Sequence, residues 1–207
     1  MTKLAILGAS GHGKVLADVA EKLGYTVSFF DDAYPSKATL EHWSIDGTID
    51  DLLELERKEY QVAVAIGDNA VRKQKLETLF ELGFQSPVLI DPSAIVSQYA
   101  SLKSGTVVFP GAVINAFAKV GKGGIVNSGA IVEHDCEVLD YCHLSPNSAL
   151  AGNVYVGSGS WVGMGSQVRQ GISIGDNTVI GAGSVVVKDV PSYVTAFGTP
   201  ATVVCNS

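Results

Sequence analysis

The segment Ile131–Val138, IVEHDCEV, sets a histidine between two carboxylates in a stretch otherwise made of aliphatic residues and glycine. An imidazole takes up and returns a proton near neutral pH, and a carboxylate hydrogen-bonded to one ring nitrogen orients the ring and makes the other nitrogen a better base. Such general-base help accelerates a reaction by about 100- to 10,000-fold. His134, flanked by Glu133 and Asp135, is therefore the first candidate for proton chemistry; an exposed polar residue with no role is the alternative. The other three histidines are His143, nine residues on, His42 in a connection where a structural role is expected, and His12 in a glycine-rich loop.

The region around His134 is periodic. Stepping by six from Ile90 to Val186 meets seventeen positions, all Ile, Val or Leu. Four residues after each of them a small residue recurs, as at Ala112, Ala130, Cys136, Cys142, Ser148 and Ser166, and Gly or Asn tends to precede it, as at Gly129, Asn147 and Gly165. A period of six fits neither the 3.6 of a helix nor plain two-residue alternation. It fits short β segments separated by corners, where Gly and Asn tolerate positive φ. Three segments make a coil of eighteen residues, and stacked coils form a parallel β-helix with an aliphatic interior. Cys136 and Cys142 then read as core filler. His134 lies two residues past inward Val132, near a corner, so its ring is expected at the surface; His143, just before inward Leu144, is expected to point outward from a different face.

The first part of the chain reads as a small β-loop-α-β lobe. KLAIL is a buried strand, GASGHGK a loop, KVLADVAEKLGY a helix closed by Gly24, and TVSFF a second strand ending in Asp31 and Asp32. Glycines at a helix N-terminus let backbone amides approach a phosphate, and acidic residues after the second strand can accept hydrogen bonds from sugar hydroxyls. The spacing G-x-x-G-x-G differs from the dinucleotide G-x-G-x-x-G, and a tight turn alone would also use these glycines. Thr48 and Asp51 form a capping-box pattern. QVAVAIG is a third strand, followed by a loop at Gly67 and a helix closed by Gly83. About three strands suit a mononucleotide-sized ligand. The expected division is 1–87 for a Rossmann-like α/β lobe and 88–207 for the β-helix with a short C-terminal tail.

Composition narrows the classes. A chain of 207 residues, 46% hydrophobic, has enough apolar material for packed cores. A net charge of -7, with no basic run, argues against nucleic acid as a partner. The apolar stretch Leu4–Leu7 is too short for a signal peptide core, and no window approaches the ~18 apolar residues that span a bilayer. Three cysteines without metal spacing argue against a disulfide framework or a zinc site. A cytoplasmic protein without a metal is expected.

Together, GASGHG, FFDD, AIGDN, the hexapeptide rod, VEHDCEV, CHLSPNSALAGNV and the terminal GTPA resemble the NeuD/PglD type of bacterial sugar acetyltransferase across nearly the whole chain, from Lys3 to about Val203. That resemblance implies a left-handed parallel β-helix, a homotrimer with active sites between neighbouring rods, and acetyl-CoA as co-substrate. It implies an acceptor that is a nucleotide-linked amino sugar, UDP-linked first, acetylated on its 4-amino group in surface-glycan or glycoprotein sugar biosynthesis. His134 matches the family's general base, Asp135 the acidic residue that raises its basicity, and Gly152 the backbone amide at the oxyanion. His143, Met164 and Ala182 match acetyl-CoA contacts; Ser10, Gly11, His12, Asp31, Asp32 and Gly67 match nucleotide-sugar contacts. The competing readings are a sialic acid or other sugar O-acetyltransferase, a non-catalytic scaffold, and a γ-type carbonic anhydrase. The last needs three zinc-binding histidines where the rod holds only His134 and His143.

Overall fold

The computed structural model describes residues 2–206; the side chains of Cys205 and Asn206 lie outside that description. The chain divides into two compact units after Pro92. The segment from Pro87 to Pro92 falls in the first unit, where the nearly buried carboxylate of Asp91 pairs with Lys22 at 3.1 Å.

In the first unit the order is β1 (Lys3–Leu7), α1 (Gly11–Lys22), β2 (Thr26–Phe30), β3 (Thr39–Leu40), β4 (Trp43–Gly47), α2 (Ile49–Leu53), β5 (Tyr60–Val64) and α3 (Asn69–Glu81). The sheet runs β3-β4-β2-β1-β5, with β1 parallel to both β2 and β5. β1 is buried from Leu4 to Leu7, the mark of a strand covered on both faces. α1 buries Gly13, Leu16, Ala17, Val19 and Ala20, a stripe at helical spacing. At the start of α2 the Thr48 amide donates to Asp51 Oδ2 at 2.8 Å, the backward arm of a capping box. The β3–β4 hairpin adds strands to the expected three. Its turn lies at Glu41 and His42, and Glu41 adopts φ +53° without the Gly or Asn that signals such turns.

The second unit is the periodic one. Its two-residue strands fall into three parallel sheets, in which every partner is eighteen residues away: Val113 opposite Ile131, Lys119 opposite Glu137, Ile125 opposite His143. From Val108 to Val186 every sixth residue is buried, at most 2% exposed. Val96 and Leu102 are half-buried, as befits the first coil of a stack. Towards the C-terminus the expected tail is instead an antiparallel hairpin, Val194–Gly198 with Ala201–Asn206, whose first strand adds in parallel to Val179–Ile180.

The small inward residues do more than fill space. Ser166 Oγ donates to the Gly181 carbonyl at 2.8 Å, Cys142 Sγ to Gly157 at 3.0 Å and Cys136 Sγ to Ala151 at 3.1 Å, so the hydroxyls and thiols serve carbonyls fifteen residues ahead. A buried polar atom left unpaired would be costly, and these are paired.

From Gly105 to Gly183 every sixth residue has positive φ. Most are Gly or Asn; the exceptions are Phe117 at +63°, Asp135 at +59° and Tyr141 at +60°. The left-handed region costs an ordinary L-residue roughly 1–2 kcal/mol. Asp is among the residues that tolerate it best, and a bulky aromatic ring is not. None of the helices among the described residues is long and apolar enough to cross a membrane.

The contrast between inward and outward positions is measurable. Leu144→Ala, which empties an interior position, is expected to lower the unfolding free energy by about 2–5 kcal/mol. Lys119→Ala, on an outer face, should change it by no more than about 0.5 kcal/mol. Urea denaturation of the two variants checks both.

Candidate active site

His134 sits in the corner between strands Ile131–Val132 and Glu137–Val138. Val132 points inward and is fully buried, so the chain leaves the sheet at Glu133 and carries the imidazole out, with 62% of its side chain exposed. The next residue turns the corner: at φ +59°, Asp135 brings its Oδ2 to 2.9 Å from His134 Nδ1. An ionised carboxylate only accepts, so Nδ1 carries the proton and Nε2 keeps its lone pair. Glu133 contributes less, its Oε2 being 3.4 Å from the His134 amide.

One coil on, Gly152 faces the ring. A Cβ built there would lie 2.6 Å from both Cε1 and Nε2 of His134. Gly152 is thus the residue that leaves room for the imidazole, and its backbone runs beside the basic nitrogen. The structure brings His134, Asp135 and Gly152 together.

His143 stands elsewhere, on a different sheet. Its side chain faces away from inward Leu144, as expected, yet the residue is only 6% exposed. In a coiled ladder the outward position of one coil stacks on the same position of the next: His143 pairs in register with Ile125 and Trp161, and its ring lies on the Trp161 indole, centroids 4.8 Å apart and planes 19° apart. Facing outward is therefore different from being exposed. Asn127 Oδ1 accepts from the Ser128 amide at 2.8 Å, which turns its Nδ2 towards His143 Nε2 at 3.1 Å. His143 Nε2 is the acceptor of that pair.

Beside this stack lies an open cavity of about 460 Å³ whose wall includes His143, Pro146, Trp161, Met164, Val179 and Ala182. All three residues matched to acetyl-CoA line it, and His134, Asp135 and Gly152 do not. Met164 is 56% exposed, an apolar side chain at the edge of an apolar trough. A second cavity of about 460 Å³ includes Ile131, Glu133, Gln167 and Arg169, and it reaches the His134 corner through Glu133.

In the first unit β1 lies between β2 and β5, so successive connections leave in opposite directions, which opens a crevice at the C-terminal strand ends. Three loops converge there. Gly13 is required because a Cβ would fall 2.5 Å from the Gly8 carbonyl oxygen, which allows α1 to sit against the loop. Ser10 is the N-cap of α1, with a hydroxyl that makes no capping bond, and Ser10 and Gly11 are exposed. Asp31 is committed to the fold: its Oδ2 accepts from the Ala9 amide at 2.7 Å and its Oδ1 from the Ala33 amide at 2.9 Å. Asp32 is exposed, with a long 3.4 Å contact to the Ile49 amide.

Two cations here have no sequence signature, since the contacts that define them are distant or buried. Lys37 Nζ donates to the Ala9 carbonyl at 2.6 Å. Arg72, 1% exposed, donates to the carbonyls of Ile66 and Gly67 at 3.1 and 3.0 Å and to Asn69 Oδ1 at 2.8 Å, bracing the loop that carries Gly67. Burial, and after it the Arg72 charge, push the His12 imidazole down to about 4. His12 is neutral at pH 7.

Comparison with known proteins agrees with this architecture. Residues 3–79 match the PglD N-terminal domain and residues 153–188 the bacterial transferase hexapeptide repeats. The structure is similar to the acetyltransferase domain of PglB from Neisseria gonorrhoeae, with 39% identity and a TM-score of 0.95 over 99% of this chain and 100% of that one; that domain is also known in complex with acetyl coenzyme A. It is similar to a mutant of perosamine N-acetyltransferase from Caulobacter crescentus in complex with CoA and GDP-perosamine, with 37% identity and a TM-score of 0.94 over 100% and 98% of the two chains. In sequence it is 40% identical over 113 residues to UDP-N-acetylbacillosamine N-acetyltransferase from Bacillus subtilis, covering 52% of this chain and 51% of that one. The chain spans 27% to 51% of the length of the curated relatives it matches.

His12 links the first unit to pH. Its imidazole titrates at about 4 when folded and at the ordinary 6.5 when unfolded. The stability that comes from keeping it neutral is whole above pH 6.5 and is lost as pH falls towards 4, because the unfolded chain takes up the proton first. Unfolding free energies of His12→Gln should decline less over that window than those of the wild type, by urea titration at a series of pH values; parallel curves would assign the decline to other groups.

Proposed function

Given that the chain belongs to the PglD-type family of bacterial sugar acetyltransferases, we propose that it transfers the acetyl group of acetyl-CoA to the amine of a nucleotide-linked amino sugar. The observation that carries this reading is the His134–Asp135 pair at 2.9 Å, exposed, with the Gly152 backbone against the basic edge of the ring. In the proposed step the sugar 4-amine attacks the thioester carbonyl carbon while His134 Nε2 takes the amine proton. The backbone amide at Gly152 stabilises the tetrahedral oxyanion. The carbon–sulfur bond then breaks, and the proton passes to the departing thiolate. The products are an amide and free coenzyme A. No protein nucleophile takes part, in keeping with Cys136 and Cys142 being buried and bonded to carbonyls.

The apolar trough with His143, Trp161, Met164 and Ala182 is the proposed seat of acetyl-CoA, and the loops holding Ser10, Gly11, His12, Asp32 and Gly67 are proposed to take the nucleotide. A neutral His12 there donates or accepts a hydrogen bond without adding charge. Asp31 is proposed to serve mainly by fixing the glycine loop. By name the Bacillus relative acts on a UDP-linked sugar and the Caulobacter relative was solved with a GDP-linked one; a UDP-linked acceptor is our first choice. The working form is proposed to be a homotrimer in the cytoplasm, where acetyl-CoA is made.

Thiol release from acetyl-CoA, assayed against a panel of UDP-, dTDP- and GDP-linked amino sugars, tests the reading. His134→Ala should lower kcat by at least ~100-fold, and unchanged turnover would remove His134 from the mechanism. Asp135→Asn keeps a residue that accepts positive φ and loses the charged acceptor, so kcat should fall at least ~10-fold with the melting temperature preserved.

A further inference from the structure

Two exposed aromatic rings share the corner that carries His134 and Asp135. Phe117 precedes Asp135 by eighteen residues and Tyr99 precedes Phe117 by eighteen, so the three occupy one corner of successive coils. The Asp135 amide donates to the Ala116 carbonyl at 3.2 Å, which sets the Phe117 turn directly against the turn of the pair. The rings of Tyr99 and Phe117 stack with centroids 5.4 Å apart and planes 21° apart, and the two residues are 61% and 60% exposed.

Phe117 is out of place by the rule of its own coil. It holds φ +63° where most corners have Gly or Asn. Of the remaining exceptions, Tyr141 is 3% exposed and its ring is accounted for by packing, while Asp135 is accounted for by its bond to His134. The Phe117 ring remains mostly open, so burial returns little for a backbone conformation that disfavours it. Strain that packing does not explain concentrates at ligand sites. Past the pair, the same corner reverts to Asn153 and Gly171.

We propose that Tyr99 and Phe117 form a platform for the sugar ring of the acceptor, a specificity device that rests on the acetyl-transfer reading above. One face of a pyranose presents C–H bonds of slight positive charge, which the negative face of an aromatic ring attracts, while the sugar hydroxyls stay hydrated at the rim. The coil of Phe117 lies one strand spacing, about 4.8 Å, from that of Asp135. A sugar seated on the platform brings its amine to the imidazole.

Phe117→Asn removes the ring and leaves a residue suited to the corner. KM for the nucleotide amino sugar is expected to rise about tenfold, with kcat and KM for acetyl-CoA within about twofold of wild type. Phe117→Tyr should restore the acceptor KM. By calorimetry, Phe117→Asn should weaken binding of the nucleotide amino sugar and leave binding of UDP alone unchanged. Acceptor affinity unchanged in the Tyr99→Ser, Phe117→Asn double variant would overturn the platform. So would a lower sedimentation mass of Phe117→Asn, which would make the rings a contact between copies. A wild-type protein that releases no thiol with any nucleotide amino sugar would instead sink the parent reading, and the two titrations, which need no turnover, would still decide the platform.

Discussion

Parallel pairing of residues eighteen apart, held by backbone hydrogen bonds that span seventeen or nineteen residues, governs the second unit. Because each coil repeats the register of the last, the neighbours of any side chain are set by arithmetic: those of His134 are Ala116 before it and Gly152 after it. The open imidazole follows from having small residues on both sides. The same rule buries His143, whose neighbours Ile125 and Trp161 are large. Two histidines facing away from one aliphatic interior thus reach opposite environments, one suited to proton transfer and the other to an apolar trough.

Corners are the second constraint. Each coil needs three residues at positive φ, and the sequence spends most of them on Gly and Asn. Asp135 meets that demand and also holds the His134 ring, so backbone geometry and side-chain chemistry share one residue. In the first unit the polar groups are arranged for a different purpose. Asp31 and Lys37 tie the loop after β2 to the glycine loop at Ala9, and Arg72 braces the loop after β5, in each case through main-chain atoms, so that these loops have a defined shape.

Much of this was legible in the amino-acid order. The six-residue aliphatic recurrence specified the stacked coils, and the position of His134 two residues past Val132 specified an exposed ring. Gly and Asn marked most of the corners. Phe117 and Tyr141 did not announce theirs, because there the coil imposes a conformation the residues do not prefer. The burial of His143 has no local signal, because its covering residues lie eighteen positions away rather than next to it. The β3–β4 hairpin carries no turn residue at Glu41 to signal it. Lys37 gave no local signal, since what defines it is a carbonyl reached across the fold, and Arg72 gave none because its role follows from burial against the loop it braces. Gly152 had a readable signal: a glycine one full coil after a candidate base.

Repetition of the coil also quantises position along the rod. A functional group transplanted by eighteen residues keeps its corner and its outlook and advances by one strand spacing, about 4.8 Å; intermediate heights are forbidden. Two sites on one corner or one face of such a scaffold are therefore separated, along the axis, by whole rungs, and their spacing can be adjusted only in those discrete steps or by changing the side chains that reach across them.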